Sequence, residues 1–170
     1  MPVLTDGVIT LRPPSHDDID AIYEACQDPE IQTWTNVPSP YAREHAVDYV
    51  ERVSKLPGTE AFLGFEDDRL VGSFSVMEID RERAYAEIGY WVAAPARGRG
   101  LATRAVTLLR DWAAEELGAR LIELIIHEDN LPSKRVAERT GFLCTGERRP
   151  APRKEELGPE NHDVYAWSPE

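Results

Sequence analysis

The sequence predicts one α/β domain of the α+β type across residues 1–170, with a mixed, mostly antiparallel sheet flanked by helices. Three observations predict it. Two runs in the middle of the chain, 61–66 and 70–76, alternate about Asp67-Asp68 as a β-hairpin does. Leu121-Ile122-Glu123-Leu124-Ile125-Ile126 is almost continuously apolar, the pattern of a strand covered on both faces. Between them Leu101, Ala105, Leu108 and Trp112 recur at helical spacing, directly after a glycine-rich turn.

The remaining elements follow in order. Val8 to Arg12 reads as a short strand, and Ser15 with Asp18 three residues on opens a helix with apolar Ile19, Ile22, Tyr23 and Cys26. Asp28-Pro29 stops that helix, and the proline-punctuated segment 34–41 reads as a loop. A second helix carries Ala46, Val50 and Val53 on one face. Ala84 to Val92 is a strand closed by Ala93-Ala94-Pro95, and Gly118 suits the position after the helix that begins at Leu101. Asn130-Leu131-Pro132-Ser133 starts a helix that Gly141 ends. Phe142-Leu143-Cys144 and residues 163–167 form a last strand pair around a polar loop, 148–162.

Composition narrows the function classes. Hydrophobic residues make up 42% and charged residues 29%, as in soluble globular proteins. No apolar run reaches the length of a membrane span, and the first residues lack the pattern of a signal peptide. Cys26 and Cys144 sit in no metal or redox spacing, which predicts buried free thiols and a cytoplasmic protein. The net charge of −12 lies mostly before residue 97, and segment 97–140 alone is not acidic. Such a surface argues against nucleic acid and would attract a cationic substrate such as an amine.

The chemistry-bearing motif is Arg97-Gly98-Arg99-Gly100-Leu101-Ala102, between a strand and a helix. Glycine there permits positive φ and close approach of the backbone. The helix that follows turns its free N–H groups and positive dipole end to the same spot, which makes an anion site. The spacing matches neither a P-loop nor a dinucleotide-binding turn. With its Arg-x-x-Gly-x-Ala pattern it resembles the pyrophosphate turn of the GCN5-related N-acetyltransferase (GNAT) superfamily. Ala86-Glu87-Ile88-Gly89-Tyr90-Trp91-Val92, the Asn130–Ser133 helix start and Gly141-Phe142 resemble that family too. Leu11-Arg12 and Asp28-Pro29-Glu30-Ile31 resemble its RimJ/RimL-like branch, some of whose members acetylate the N-termini of ribosomal proteins.

The resemblance implies acetyl-CoA as co-substrate, bound in a cleft where strand 84–92 carries a bulge and splays from strand 121–126. Backbone N–H groups of Gly98, Arg99, Gly100, Leu101, Ala102 and Thr103 would hold the pyrophosphate, with added charge from Arg97 and Arg99. Backbone groups of Val92 and Ala94, and the side chain of Asn130, would bind the pantetheine arm. An amine acceptor is mostly protonated at neutral pH, so the site needs a proton acceptor and a donor to the leaving thiolate. Glu87 and Ser133 are the candidates for these roles. Trp34 and Tyr41 are the candidates for binding the acceptor, a protein N-terminus or a small amine such as an antibiotic or polyamine. A non-catalytic CoA-binding sensor is the alternative of a different class. No metal is implied. His127 reads as a capping or packing residue and His16, His45 and His162 as surface residues, while exposed strand edges near the chain's end are compatible with a homodimer.

Overall fold

Alternation along the strands divides the apolar side chains between two cores, one on each face of a single sheet. Phe62 and Leu63, neighbours in sequence, enter opposite clusters, and so do Tyr90 and Trp91. The computed structural model describes residues 2–151 and 159–170. The central part of the loop predicted at 148–162 therefore lies outside the described residues.

The eight strands are β1 (Leu4–Thr5), β2 (Thr10–Arg12), β3 (Glu60–Glu66), β4 (Arg69–Asp80), β5 (Tyr85–Val92), β6 (Leu121–His127), β7 (Leu143–Arg149) and β8 (His162–Trp167). They form one sheet in the order β1-β2-β3-β4-β5-β6-β8-β7, antiparallel throughout except between β5 and β6. The helices are α1 (Ile19–Ala25), α2 (Pro29–Trp34), α3 (Arg43–Glu51), α4 (Leu101–Glu116) and α5 (Leu131–Arg139). Helices α4 and α5 cover one face over Phe74, Ile88 and Ile122, and α1, α2 and α3 cover the other over Leu63 and Trp91.

Helix α2 is absent from the sequence reading. Asp28-Pro29 does stop α1, but the same pair starts a new helix: Asp28 accepts from the Glu30 N–H at 2.9 Å, and Pro29 occupies the first turn. Trp34 thus ends a helix and does not open a loop. The buried stripe of α4 runs through Leu101, Ala105, Val106, Leu109 and Ala113, with Leu108 and Trp112 only at its margin. Trp112 reaches the core sideways, edge-on to Phe62 with 5.4 Å between centroids. Cys26 is buried as expected, whereas Cys144 is exposed because β7 is the outer strand of the sheet.

Strands β5 and β6 position the site. They pair only at 85–87 against 121–123, and beyond Glu87 and Glu123 the ladder stops. The splay therefore opens toward the C-terminal ends of two parallel strands, where the backbone edges lack strand partners and await others. The bulge expected in β5 lies instead in β4, where the register shifts between Met77 and Asp80 and Glu78 adopts φ 50°. The pairing of β5 from Glu87 to Val92 is regular, so divergence from β6 alone makes the cleft.

Candidate active site

The splay opens into a cavity of about 580 Å³. Its walls come from four elements. The end of β5 supplies Tyr90, Trp91 and Val92; the turn and the start of α4 supply Arg97, Gly98 and residues 100–103. Helix α5 supplies Asn130, Ser133, Arg135, Val136 and Arg139, and α2 supplies Glu30, Ile31 and Trp34, with Thr35 beside them.

The turn has the backbone geometry that the sequence predicts. Gly98 has φ 72° and Gly100 φ 73°, left-handed conformations that side chains rarely adopt. Gly100 is the cap of α4, no side chain caps that end, and no acidic residue stands in its first turn. The first N–H groups of a 16-residue helix therefore face the cavity with their dipole uncompensated. Arg135 and Arg139, one helical turn apart on α5, add positive charge on the facing wall. Sequence reading missed both: at i and i+4 they share one side of α5, but only tertiary structure shows that this side reaches the cavity.

The two arginines of the turn are differently placed. Arg99 lies outside the cavity walls and makes a bidentate pair with Glu66 at 2.6 and 2.8 Å. Arg97 lines the cavity but donates to the Val92 carbonyl and pairs with Asp28 and Glu30. Both guanidinium groups of the turn are thus engaged by partners within the protein. Ala94 also stands outside the walls, in a short 3-10 turn where its carbonyl accepts from the Arg97 N–H.

On α5, Asn130 caps the helix by accepting from the Ser133 N–H at 3.3 Å, which leaves its amide NH2 as the free donor. Ser133 Oγ lies 2.8 Å from Tyr90 Oη across the cavity. Burial pushes the Tyr90 phenol up to about 12, so it remains protonated at neutral pH. Tyr90 is a third residue that sequence reading missed. Alternation placed it with Ala86 and Ile88, but the helix that faces it belongs to tertiary structure.

Glu87 is buried at the last position of β5 that pairs with β6, opposite Glu123. Alternation puts it on the face of Gly89 and Trp91, at the closed end of the split and outside the cavity walls. Its neighbour Glu123 is fully engaged, accepting from Tyr85 Oη at 2.9 Å and from Arg149 at 2.7 Å. Tyr41 is not brought to the site. It is 6% exposed, packs in the core beneath α3, and its carbonyl accepts from Gln27. A large aromatic just after two prolines found the core, as its apolar area favours.

His127 accepts from the Asp129 N–H at 3.1 Å, the capping role expected of it, and its ring meets Trp34 at 5.1 Å. His162 departs from the surface position expected: it is 9% exposed, starts β8 and packs edge-on to His127. Burial and the neighbouring His127 hold its imidazole below the ordinary range. Among the described residues, no group of three or more His, Cys, Asp or Glu is placed to hold a metal ion. Nor is any described helix long and apolar enough to cross a membrane.

A splayed parallel pair with a glycine turn and an open helix N-terminus at its mouth is one arrangement among known folds, and residues 9–143 match the family model described as an acetyltransferase (GNAT) domain. The chain belongs to the GNAT family. It is 36% identical to YdaF of Bacillus subtilis over 102 residues, 60% of this chain and 55% of that protein. It is 33% identical over 85 residues to the ribosomal-protein-serine acetyltransferase of Escherichia coli, 50% of this chain and 48% of the relative. The chain thus spans about half the length of these curated relatives. A solved structure of RimL, a ribosomal L7/L12 alpha-N-protein acetyltransferase in complex with coenzyme A, superposes with a TM-score of 0.85 at 18% identity, covering 98% of each chain. At that identity the likeness is one of fold.

Proposed function

We propose that this GNAT protein transfers the acetyl group of acetyl-CoA to a primary amine, and that the acceptor class is the N-terminal amine of a protein, ribosomal proteins included. The observation that carries it is the uncapped, acid-free start of α4 at the mouth of the β5–β6 split. Main-chain N–H groups of residues 100–103 bind the pyrophosphate, Arg135 and Arg139 meet the remaining phosphate charge, and the free edge of β5 receives the amide-bearing pantetheine arm as a strand would. The acceptor class follows the names of the E. coli relative and of RimL. We assign the activity to the cytoplasm, where that class of acceptor and the co-substrate meet.

In the reaction the amine nitrogen attacks the thioester carbonyl carbon, the C–S bond breaks, and an amide and a thiol result. Glu87, directly or through water, takes the proton that the amine loses. Ser133 Oγ–H protonates the departing sulfur, and Tyr90 Oη, 2.8 Å behind it, keeps that hydroxyl supplied and oriented. Holding the two reactants together in the split contributes much of the remaining acceleration.

The test is to mix protein, acetyl-CoA and a short peptide with a free N-terminus, and to follow free thiol. Thiol release with this peptide, and none with the same peptide blocked at its N-terminus, is the expected result. Acetyl-CoA alone raises the melting temperature, because a ligand of the folded state stabilises it by mass action. Absence of both a melting shift and calorimetric binding at millimolar acetyl-CoA overturns the reading. Release with polyamines but not with peptides replaces the acceptor class.

A further inference from the structure

Arg97 lines the cavity, but its guanidinium is engaged by the protein. Its Nε and Nη2 donate to the Val92 carbonyl at 3.2 and 3.0 Å. Nη2 also lies 2.8 Å from Asp28 Oδ2, and Nη1 lies 3.0 Å from Glu30 Oε2. A guanidinium has five N–H donors, so these contacts leave about one free. Both carboxylates belong to the start of α2: Asp28 is its cap and Glu30 stands in its first turn. Asp28 Oδ2 is fully buried and receives no well-angled hydrogen bond, so the guanidinium beside it acts as its counter-ion.

Helix α2 has six residues, too few to persist without tertiary anchors. Its other anchors include Ile31, buried in the core, Gln32, whose Nε2 donates to the Cys26 carbonyl at 2.9 Å, and Trp34, stacked at a tilt on His127. Glu30, Ile31 and Trp34 line the same cavity as the turn. One side chain thus ties the end of β5 and the turn, which serve the acetyl donor, to the helix that faces them.

We infer that Arg97 is a positioning residue for the acceptor: it holds α2, and Trp34 with it, against the end of β5. This rests on the acetyl-transfer reading for its kinetic consequence but not for its structural one. Turning Arg97 to a phosphate would strand the buried Asp28 carboxylate, and an ion left without its partner in the interior is strongly destabilising. The main chain of the turn therefore binds the donor while the side chain braces the acceptor wall.

The test uses Arg97→Gln, with Glu30→Gln as a second variant that leaves the turn intact and alters a side chain 66% exposed. Arg97→Gln is expected to raise the acceptor KM by about tenfold or more, with the calorimetric Kd for acetyl-CoA changed less than about threefold. Glu30→Gln produces a smaller effect of the same kind, and that effect vanishes in the double variant. Hydrogen exchange gives the readout that needs no activity: amides of residues 30–35 exchange at least tenfold faster in Arg97→Gln, while those of α4 do not. A loss of acetyl-CoA affinity with unchanged acceptor KM overturns the proposal, and so does unchanged exchange in α2. If Arg97→Gln does not fold, Glu30→Gln decides by the same two readouts. A parent protein that releases no thiol from acetyl-CoA refutes the transfer reading alone, and the exchange result then decides the brace.

Discussion

On the proposed reading, two hydroxyls and a carboxylate divide the chemistry at the residue scale. Ser133 Oγ and Tyr90 Oη meet across the cavity at 2.8 Å, the phenol held protonated by its burial. Replacing Ser133 by Ala is expected to lower kcat by ~100-fold or more, the usual scale of general acid catalysis, with the acetyl-CoA Kd nearly unchanged. Tyr90→Phe lowers it less, because the serine hydroxyl remains. Equal steady-state kcat values in parent and Ser133→Ala contradict the assignment. Glu87→Gln keeps the shape and removes the base, so kcat is expected to fall ~100- to 10,000-fold at neutral pH. A Gln variant that retains most of its kcat makes Glu87 structural. Glu87 was legible as a candidate because a carboxylate interrupts an apolar run, and Ser133 because the family resemblance places a hydroxyl at that position. Tyr90 was not, since nothing in a strand's alternation says which hydroxyl lies across the cleft.

At the scale of elements, the turn and two helix starts carry the argument. Gly100 caps α4 at φ 73°, and a Cβ built there meets nothing within 4 Å, so the cost of a side chain lies in backbone strain and in obstructing the ligand. Gly100→Val is expected to weaken acetyl-CoA binding by at least tenfold with the circular dichroism spectrum retained. Undiminished calorimetric affinity removes the turn as the phosphate site. Near α1, Asp18 is 5% exposed and accepts from Arg12 at 2.7 and 2.8 Å and from the Ser15 N–H at 2.7 Å. Burial pushes its carboxyl up, but those donors prevail and hold it below the usual range. A carboxyl depressed on folding contributes stability at neutral pH that is lost as pH falls through its folded value. Asp18→Asn is therefore expected to destabilise by ~1–3 kcal/mol at pH ~7, discounted for the partly exposed Arg12, and by less in acid well below the usual carboxylate range. Denaturant melts of both proteins at the two pH values decide it; a gap that persists in acid contradicts the linkage.

Across the whole molecule, charge and layering act together. The net charge of −12 makes a field that draws a cationic acceptor, so kcat/KM for a lysine-rich peptide is expected to fall as salt rises from ~0.01 to ~0.15 M, where the screening length shortens from ~30 to ~8 Å. A neutral peptide with the same N-terminus should show little dependence. Equal salt slopes for the two peptides contradict electrostatic steering. The helix layer that carries Trp34 packs separately from the layer that carries α4. Trp34→Ala should accordingly raise the acceptor KM while leaving acetyl-CoA affinity near normal, which steady-state kinetics with both substrates varied will measure.

What the sequence determined by itself is the local order: strand and helix periods, the positive-φ glycines of the turn, the open start of α4, and the residue types that a GNAT cleft needs. These are legible because each follows from neighbours within a few positions of the chain. Tertiary structure decided the rest. It sent Tyr41 into the core and Arg99 to Glu66, made a helix of residues 29–34, placed the strand irregularity in β4, and brought Tyr90 to Ser133 and Arg97 to Asp28 and Glu30. Those outcomes depend on partners that only packing brings together: 43 residues separate Tyr90 from Ser133 along the chain, and no local period spans that distance.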